Sequence, residues 1–215
     1  MERIPNINDA YRIMGQNIIG CNEILTNKTL KSFIQIKSKS LNFPIPYSIE
    51  TLEKFKDTHF LILIIPDYID GSPLKFIHFR NLYGIDPSIS EPCFYNQDWY
   101  LNEKFYLNTN LELSWKLISK DLNDVTKSLL PNEQSMKDNN VLPALFYTYI
   151  FFIYYSIKKL PLWEFDYIWT SDFDSNNDQI YVGRYYDISK YNKNGFSIHR
   201  HLKIKNNYGL LNCIQ

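Results

Sequence analysis

The pattern of apolar and polar positions changes along this chain, and its most distinctive stretch is Val141 to Ile157, VLPALFYTYIFFIYYSI, which holds no charged residue before Lys158 and Lys159 close it. Wound as a helix, the run carries apolar or aromatic side chains on every face, so no polar stripe is left for water and the helix must be covered on several sides. Pro143 suits a first helical turn because its missing N–H has no intrahelical partner there, and Asn139 or Asn140 is placed to cap. Lys158 and Lys159 fall at the negative end of the helix dipole, and Pro161 blocks continuation. The spacing therefore predicts a buried central helix over about 143–159. A run of this length also approaches the roughly 17–25 residues of a membrane span. Against that reading, Tyr147, Tyr149, Tyr154 and Tyr155, with Thr148 and Ser156, are spread along the run, whereas membrane helices gather Tyr at the two interfaces. No membrane association is expected.

Upstream, Ala10, Ile13, Met14 and Ile18 recur near helical spacing behind Asn8 or Asp9, with Gly20 as a stop, and a second helical patch covers 22–33. Ser48 caps a short helix whose Ile49, Leu52 and Phe55 face inward, which makes an N-terminal helical part of about 1–57. HFLILII, His59 to Ile65, is a β-rich run of strand length that reads as buried on both faces. LKFIHFR, Leu74 to Arg80, follows Asp70, Gly71 and Pro73 and is expected to pair with it as a hairpin. From Tyr83 to Leu107 the pattern is irregular and aromatic. This loop is expected to lie over the core, with Tyr95, Trp99 and Tyr100 as its candidates for contact with a ligand or partner.

Glu112 to Ser119 alternates as a strand, and Asp121 to Leu130 reads as a short helix. After the central helix, Phe165 to Ser171, Gln179 to Arg184, Phe196 to Ile204 and Leu210 to Ile214 are β-rich runs separated by Asn, Asp and Gly clusters. They predict an antiparallel meander over about 165–214. No Pro/Gly/Ser-rich linker divides the chain, so the expectation is a single α+β domain, 1–215, with a mainly antiparallel sheet packed on the buried central helix.

Composition changes this picture little. The formal net charge is zero, which gives no chain-wide reason to expect a nucleic-acid partner. After Asp187 there is no acidic residue, while Lys190, Lys193, Arg200, Lys203 and Lys205 follow. Strand alternation divides those charges between two faces, so nucleic acid is still not expected. The aromatic fraction of 16% accompanies abundant Asn, Ile and Lys and a near absence of Ala, a skew that an AT-rich genome produces without selection for binding. Cys21, Cys93 and Cys213 form no C-x-x-C pair and fit a reducing compartment. MERIPNINDAYRIMGQ lacks a secretory pattern, so the expected location is the cytoplasm of a bacterium or its virus.

The glycines form no phosphate-binding loop, and neither G-x-S-x-G nor H-E-x-x-H occurs. Asp172, Asp174, Asn176 and Asp178 alternate like the oxygen ligands of a Ca²⁺ loop, but Asn177 stands where the turn glycine belongs and Gly183 where the bidentate glutamate belongs. A polar hairpin tip explains them as well. His199 and His201, two apart on an expected strand, would place both imidazoles on one face. Asp172, Asp174, Asp178, His199 and His201 are thus the candidate metal ligands, and a divalent ion is the one cofactor they suggest.

WTSDFDSNNDQIYVG, Trp169 to Gly183, resembles a group of uncharacterised bacterial proteins that share a Trp-x-Ser-Asp-x-Asp run followed by Val-Gly. The resemblance covers about the last third of the chain and implies neither an activity nor a catalytic residue. The expected function is a cytoplasmic, non-enzymatic module that binds a protein or a small ligand. The alternative is a metal-dependent hydrolase or nuclease that uses the 172–178 turn and the two histidines.

Overall fold

A computed structural model describes residues 3–86, 89–90, 92–95, 97–186, 194–201 and 206–214. Lys190, Lys193, Lys203 and Lys205 of the basic end lie outside the described residues.

Helix α1 (Ile7–Met14) is capped by Asn6, whose side chain accepts the Asp9 N–H at 3.0 Å while the Asp9 carboxylate accepts the Asn6 N–H at 3.3 Å. The helix ends at Gly15, where φ is +54°, five residues before the expected stop. Ile18–Ile19 then form the edge strand β1. Gly20 instead starts α2 (Cys21–Thr26), with its N–H bonded to the Glu23 carboxylate at 2.7 Å. Short helices α3 (Lys28–Lys31) and α4 (Ser38–Leu41) follow. In α5 (Ile49–Phe55), Ser48 caps Thr51 N–H at 3.1 Å, as its position predicts.

Every residue of β2 (His59–Ile64) is buried. Its expected hairpin partner is not a strand: Phe76–Tyr83 is helix α6. Phe76, Phe79 and Arg80 fall at i, i+3 and i+4 and are all buried, so helical spacing prevails over the β-rich content of LKFIHFR. The His78 ring also accepts the Lys75 N–H at 2.9 Å and fixes the first turn. Past the short helix α7 (Lys104–Asn108), β3 (Ser114–Ser119) is the antiparallel partner of β2, with Leu61 opposite Leu117. The expected helix over 121–130 is only a 3₁₀ turn at Asp124–Thr126.

Helix α8 (Glu133–Asp138) precedes the central helix α9 (Ala144–Lys158), which has Pro143 at its N-cap and ends on Lys159 in the left-handed region. No helix among the described residues is long and apolar enough to cross a membrane. The buried polar side chains of α9 are bonded internally. Tyr149 Oη donates to Leu63 C=O at 3.0 Å and accepts the Ile65 N–H at 3.3 Å. Tyr147 Oη accepts the Leu142 N–H at 3.2 Å, and Ser156 Oγ meets Tyr83 Oη at 2.5 Å. Buried polar groups persist in a core when they are satisfied in this way.

After α9 come β4 (Tyr167–Phe173), β5 (Gln179–Tyr186) and β6 (Asn194–His199), an antiparallel meander as expected. The last expected run, Leu210 to Ile214, does not extend this meander. Strand β7 (Tyr208–Gly209) joins β4 in parallel, while β8 (Cys213–Ile214) crosses to β3. The α+β fold therefore has two mixed sheets, in the orders β1-β2-β3-β8 and β6-β5-β4-β7. Helix α9 packs on β2 of the first and on β4 and β5 of the second. Ile168, Ile180, Val182, Phe196 and Ile198 of the second sheet join the main core, and alternation turns Trp169 and Tyr181 to its other side, where Tyr208 and Leu210 complete a smaller cluster.

The irregular segment lays its aromatics over this core, as expected. Phe94 stacks on Phe152 at 4.9 Å, and Tyr100, Phe105 and Tyr106 are buried.

Candidate functional site

The acidic run forms the tip of the β4–β5 hairpin. A turn is closed by Asn177 N–H bonding to Asp174 C=O at 3.1 Å, and Asn177 tolerates the required φ of +66°. Asp174 is the hub. Its Oδ1 accepts the N–H groups of Asn176 at 2.9 Å and Asp178 at 2.8 Å, and its Oδ2 accepts from the Arg200 guanidinium. Burial alone would raise the Asp174 carboxyl. The Asp178 N–H, Arg200 and the Asn176 N–H outweigh it and hold the group below its ordinary value.

Arg200 extends the network to the aromatic loop. Its guanidinium lies 4.4 Å from the Trp99 ring centroid and 3.8 Å from Glu103 Oε1. Glu103 in turn accepts from Ser175 N–H at 2.9 Å and Ser175 Oγ at 3.1 Å, so the loop and the hairpin tip are fastened together. Trp99 Nε1 donates to Ile198 C=O at 3.2 Å.

Of the five metal candidates, Asp174, Asp178 and His201 converge, with one ligand atom of each lying within 4.8 Å of the others. His201 Nε2 contacts Asp178 Oδ2 directly. The other two candidates lie elsewhere. Asp172 Oδ2 accepts the Ala144 N–H at 2.7 Å and so caps the central helix, for which Pro143 and the asparagines before it supply no side-chain bond. Burial raises this carboxyl to about 6 although the Ala144 N–H opposes the shift. His199 and His201 do not share a strand face. Strand β6 ends at His199, and His201, with φ +64°, has left it. The His199 ring instead faces Gln97 Nε2 at 3.2 Å beside Tyr167 and Tyr181, and burial lowers its pKa to about 4, which leaves it neutral at pH 7.

The aromatic candidates are also engaged in the fold. Tyr100 is buried, with its hydroxyl accepting from Arg80 at 2.6 Å. Trp99 lies beneath Arg200, and Tyr95 bonds through its backbone N–H to Phe196 C=O at 3.0 Å.

A further feature has no local sequence signature. Pro44 to Tyr47, β3, the end of α8 and β8 enclose a groove of about 720 Å³. A second hollow of about 350 Å³ adjoins it and shares Ile4, Phe43, Pro44, Ile45 and Trp115 with it. Trp115 Nε1 donates to Phe43 C=O at 3.1 Å, which holds the indole in the shared wall. The Tyr47 hydroxyl closes the sheet beside it: it lies 3.1 Å from Trp115 C=O and 3.0 Å from Ile214 C=O, and it accepts the Leu117 N–H at 3.1 Å.

Compared with known protein families, with curated proteins and with solved structures, the chain matches none.

Proposed function

We propose that this chain is a non-catalytic binding module of the cytoplasm, and that its binding site is the groove over Trp115. One observation supports the reading above the others. Asp172, Asp174 and His199, which the sequence offers for chemistry, are bonded within the fold, whereas the groove is a preformed, mainly apolar recess of ligand size. Three cysteines without a disulfide fit a reducing compartment. Nile red, a neutral dye whose emission shifts in apolar surroundings, tests the site. Saturable binding is expected, with loss in Val141→Glu, which places a charge on a half-buried wall residue. Binding that Val141→Glu leaves intact, at an unchanged unfolding midpoint, would remove the groove from consideration.

A second reading, a metal-dependent hydrolase or nuclease, is favoured by the convergence of Asp174, Asp178 and His201. It requires a retained stoichiometric ion whose removal by chelator lowers Tm. Melting curves that coincide with and without chelator, on protein shown to be free of metal, would end that alternative.

A further inference from the structure

Resting on the groove as the binding site, we propose that its ligand is an apolar small molecule ending in a carboxylate, such as a medium-chain acyl acid. The argument begins with the polar atoms of the walls. Trp115 Nε1, the Tyr47 hydroxyl and Asn140 Nδ2 all have protein partners, the last donating to Cys213 C=O at 2.7 Å. Ser114 Oγ donates to Glu112 C=O at 3.1 Å, and the charged side chains of the lining are Lys116 and Lys137, whose ammonium groups set its electrostatic character. Among the described residues, neither lysine takes part in an ion pair and no Asp or Glu lines the groove.

Lys116 Nζ stands 5.7 Å from the Phe146 ring centroid, and Lys116 is one of the residues that line the recess. Lys137 is exposed in the last turn of α8. Ile4, Ile45, Val141, Leu142 and Ile214 supply the apolar surface. A tail buried on that surface with an anionic head at the lysines satisfies both parts of the lining, because a carboxylate forms charge-assisted hydrogen bonds with ammonium groups. The volume of about 720 Å³ lies within the range for small-molecule sites, about 300–1,000 Å³.

An extended peptide is a poorer occupant. Strand addition needs free backbone groups along a sheet edge. Here the Leu117 N–H and the Trp115 carbonyl are already bonded to Tyr47.

The test displaces bound Nile red with dodecanoic acid, dodecanol and dodecylammonium, each below its micelle concentration at pH 7.5. The acid is expected to compete about tenfold more tightly than the alcohol, and the ammonium more weakly than either. In Lys116→Gln/Lys137→Gln the advantage of the acid over the alcohol should vanish, each competitor being read against the dye affinity measured for that variant. Equal competition by acid and alcohol would overturn the carboxylate assignment and leave the binding-module reading standing. An acid preference that survives in the double variant would also overturn it, because the head would then lie elsewhere. Absence of dye binding would defeat the underlying reading itself. If light scattering shows a dimer that Val141→Glu dissociates, a second copy occupies the groove and the proposal is overturned.

Discussion

Asp172 offers the sharpest test of how this fold is held, because one carboxylate caps the buried central helix at a cost that depends on pH. In the unfolded chain its pKa is about 3.9, and in the native protein burial raises it to about 6. Between those values the native state holds a proton that the unfolded state has released, so this group's contribution to stability is complete below about pH 4, declines as pH rises, and levels off above the native value. The difference corresponds to about 3 kcal/mol. Asp172→Asn keeps an oxygen for the Ala144 N–H but has nothing to titrate. Urea unfolding of both proteins from pH 4 to pH 7.5 should therefore show the variant gaining about 2 kcal/mol on the wild type across the series, with other carboxylates cancelling in the comparison. Asp172→Ala should follow the same trend, displaced downward from the Asn variant by about 1 kcal/mol for the cap it cannot replace. Wild-type and Asn curves that run parallel within about 0.5 kcal/mol would refute the argument, since the carboxyl would then titrate as it does in the unfolded chain.

The hairpin tip should respond in the opposite sense. Asp174→Asn puts an amide N–H against Arg200 and is expected to cost about 1–3 kcal/mol at neutral pH, more than a surface substitution, with the penalty shrinking under acid as the wild-type carboxyl is protonated; equal unfolding midpoints at pH 7 would disprove it. Tyr149→Phe removes the hydroxyl that joins α9 to β2 and leaves Leu63 C=O and Ile65 N–H unpaired in the core, so a loss of about 1–3 kcal/mol in denaturant unfolding is expected, and a change under about 0.5 kcal/mol would contradict it. Gly183→Ala would place a Cβ 2.7 Å from Tyr167 Cδ1 and closer still to the Asp166 carbonyl oxygen, and a loss of about 2 kcal/mol or more is expected from thermal melts because backbone cannot move aside; a Tm equal to wild type would show that the β4–β5 pair yields.

The sequence by itself determined the features whose causes act within a turn or two of chain. A charge-free run closed by two lysines and a proline predicted α9 within about a residue at each end, Ser48 marked the start of α5, and the unbroken apolar run from His59 declared a strand buried on both faces. The β-rich runs and Asx clusters of the last third likewise predicted β4, β5 and β6. Where propensity and spacing disagreed, as in LKFIHFR, spacing prevailed, because burying Phe76, Phe79 and Arg80 on one side requires a helix. The acidic turn could be recognised as polar but not assigned a role: whether a carboxylate there is a ligand or a cap depends on what lies opposite. Tertiary packing alone brought Ala144 to Asp172, and Arg200 with Trp99 and Glu103 to the hairpin tip. Only the tertiary structure decided the groove as well, since its walls come from segments as distant as Ile4, Trp115 and Ile214. Periodicity records which side of an element is buried, but not which other element will cover it, and a recess exists only where several elements fail to close over one another.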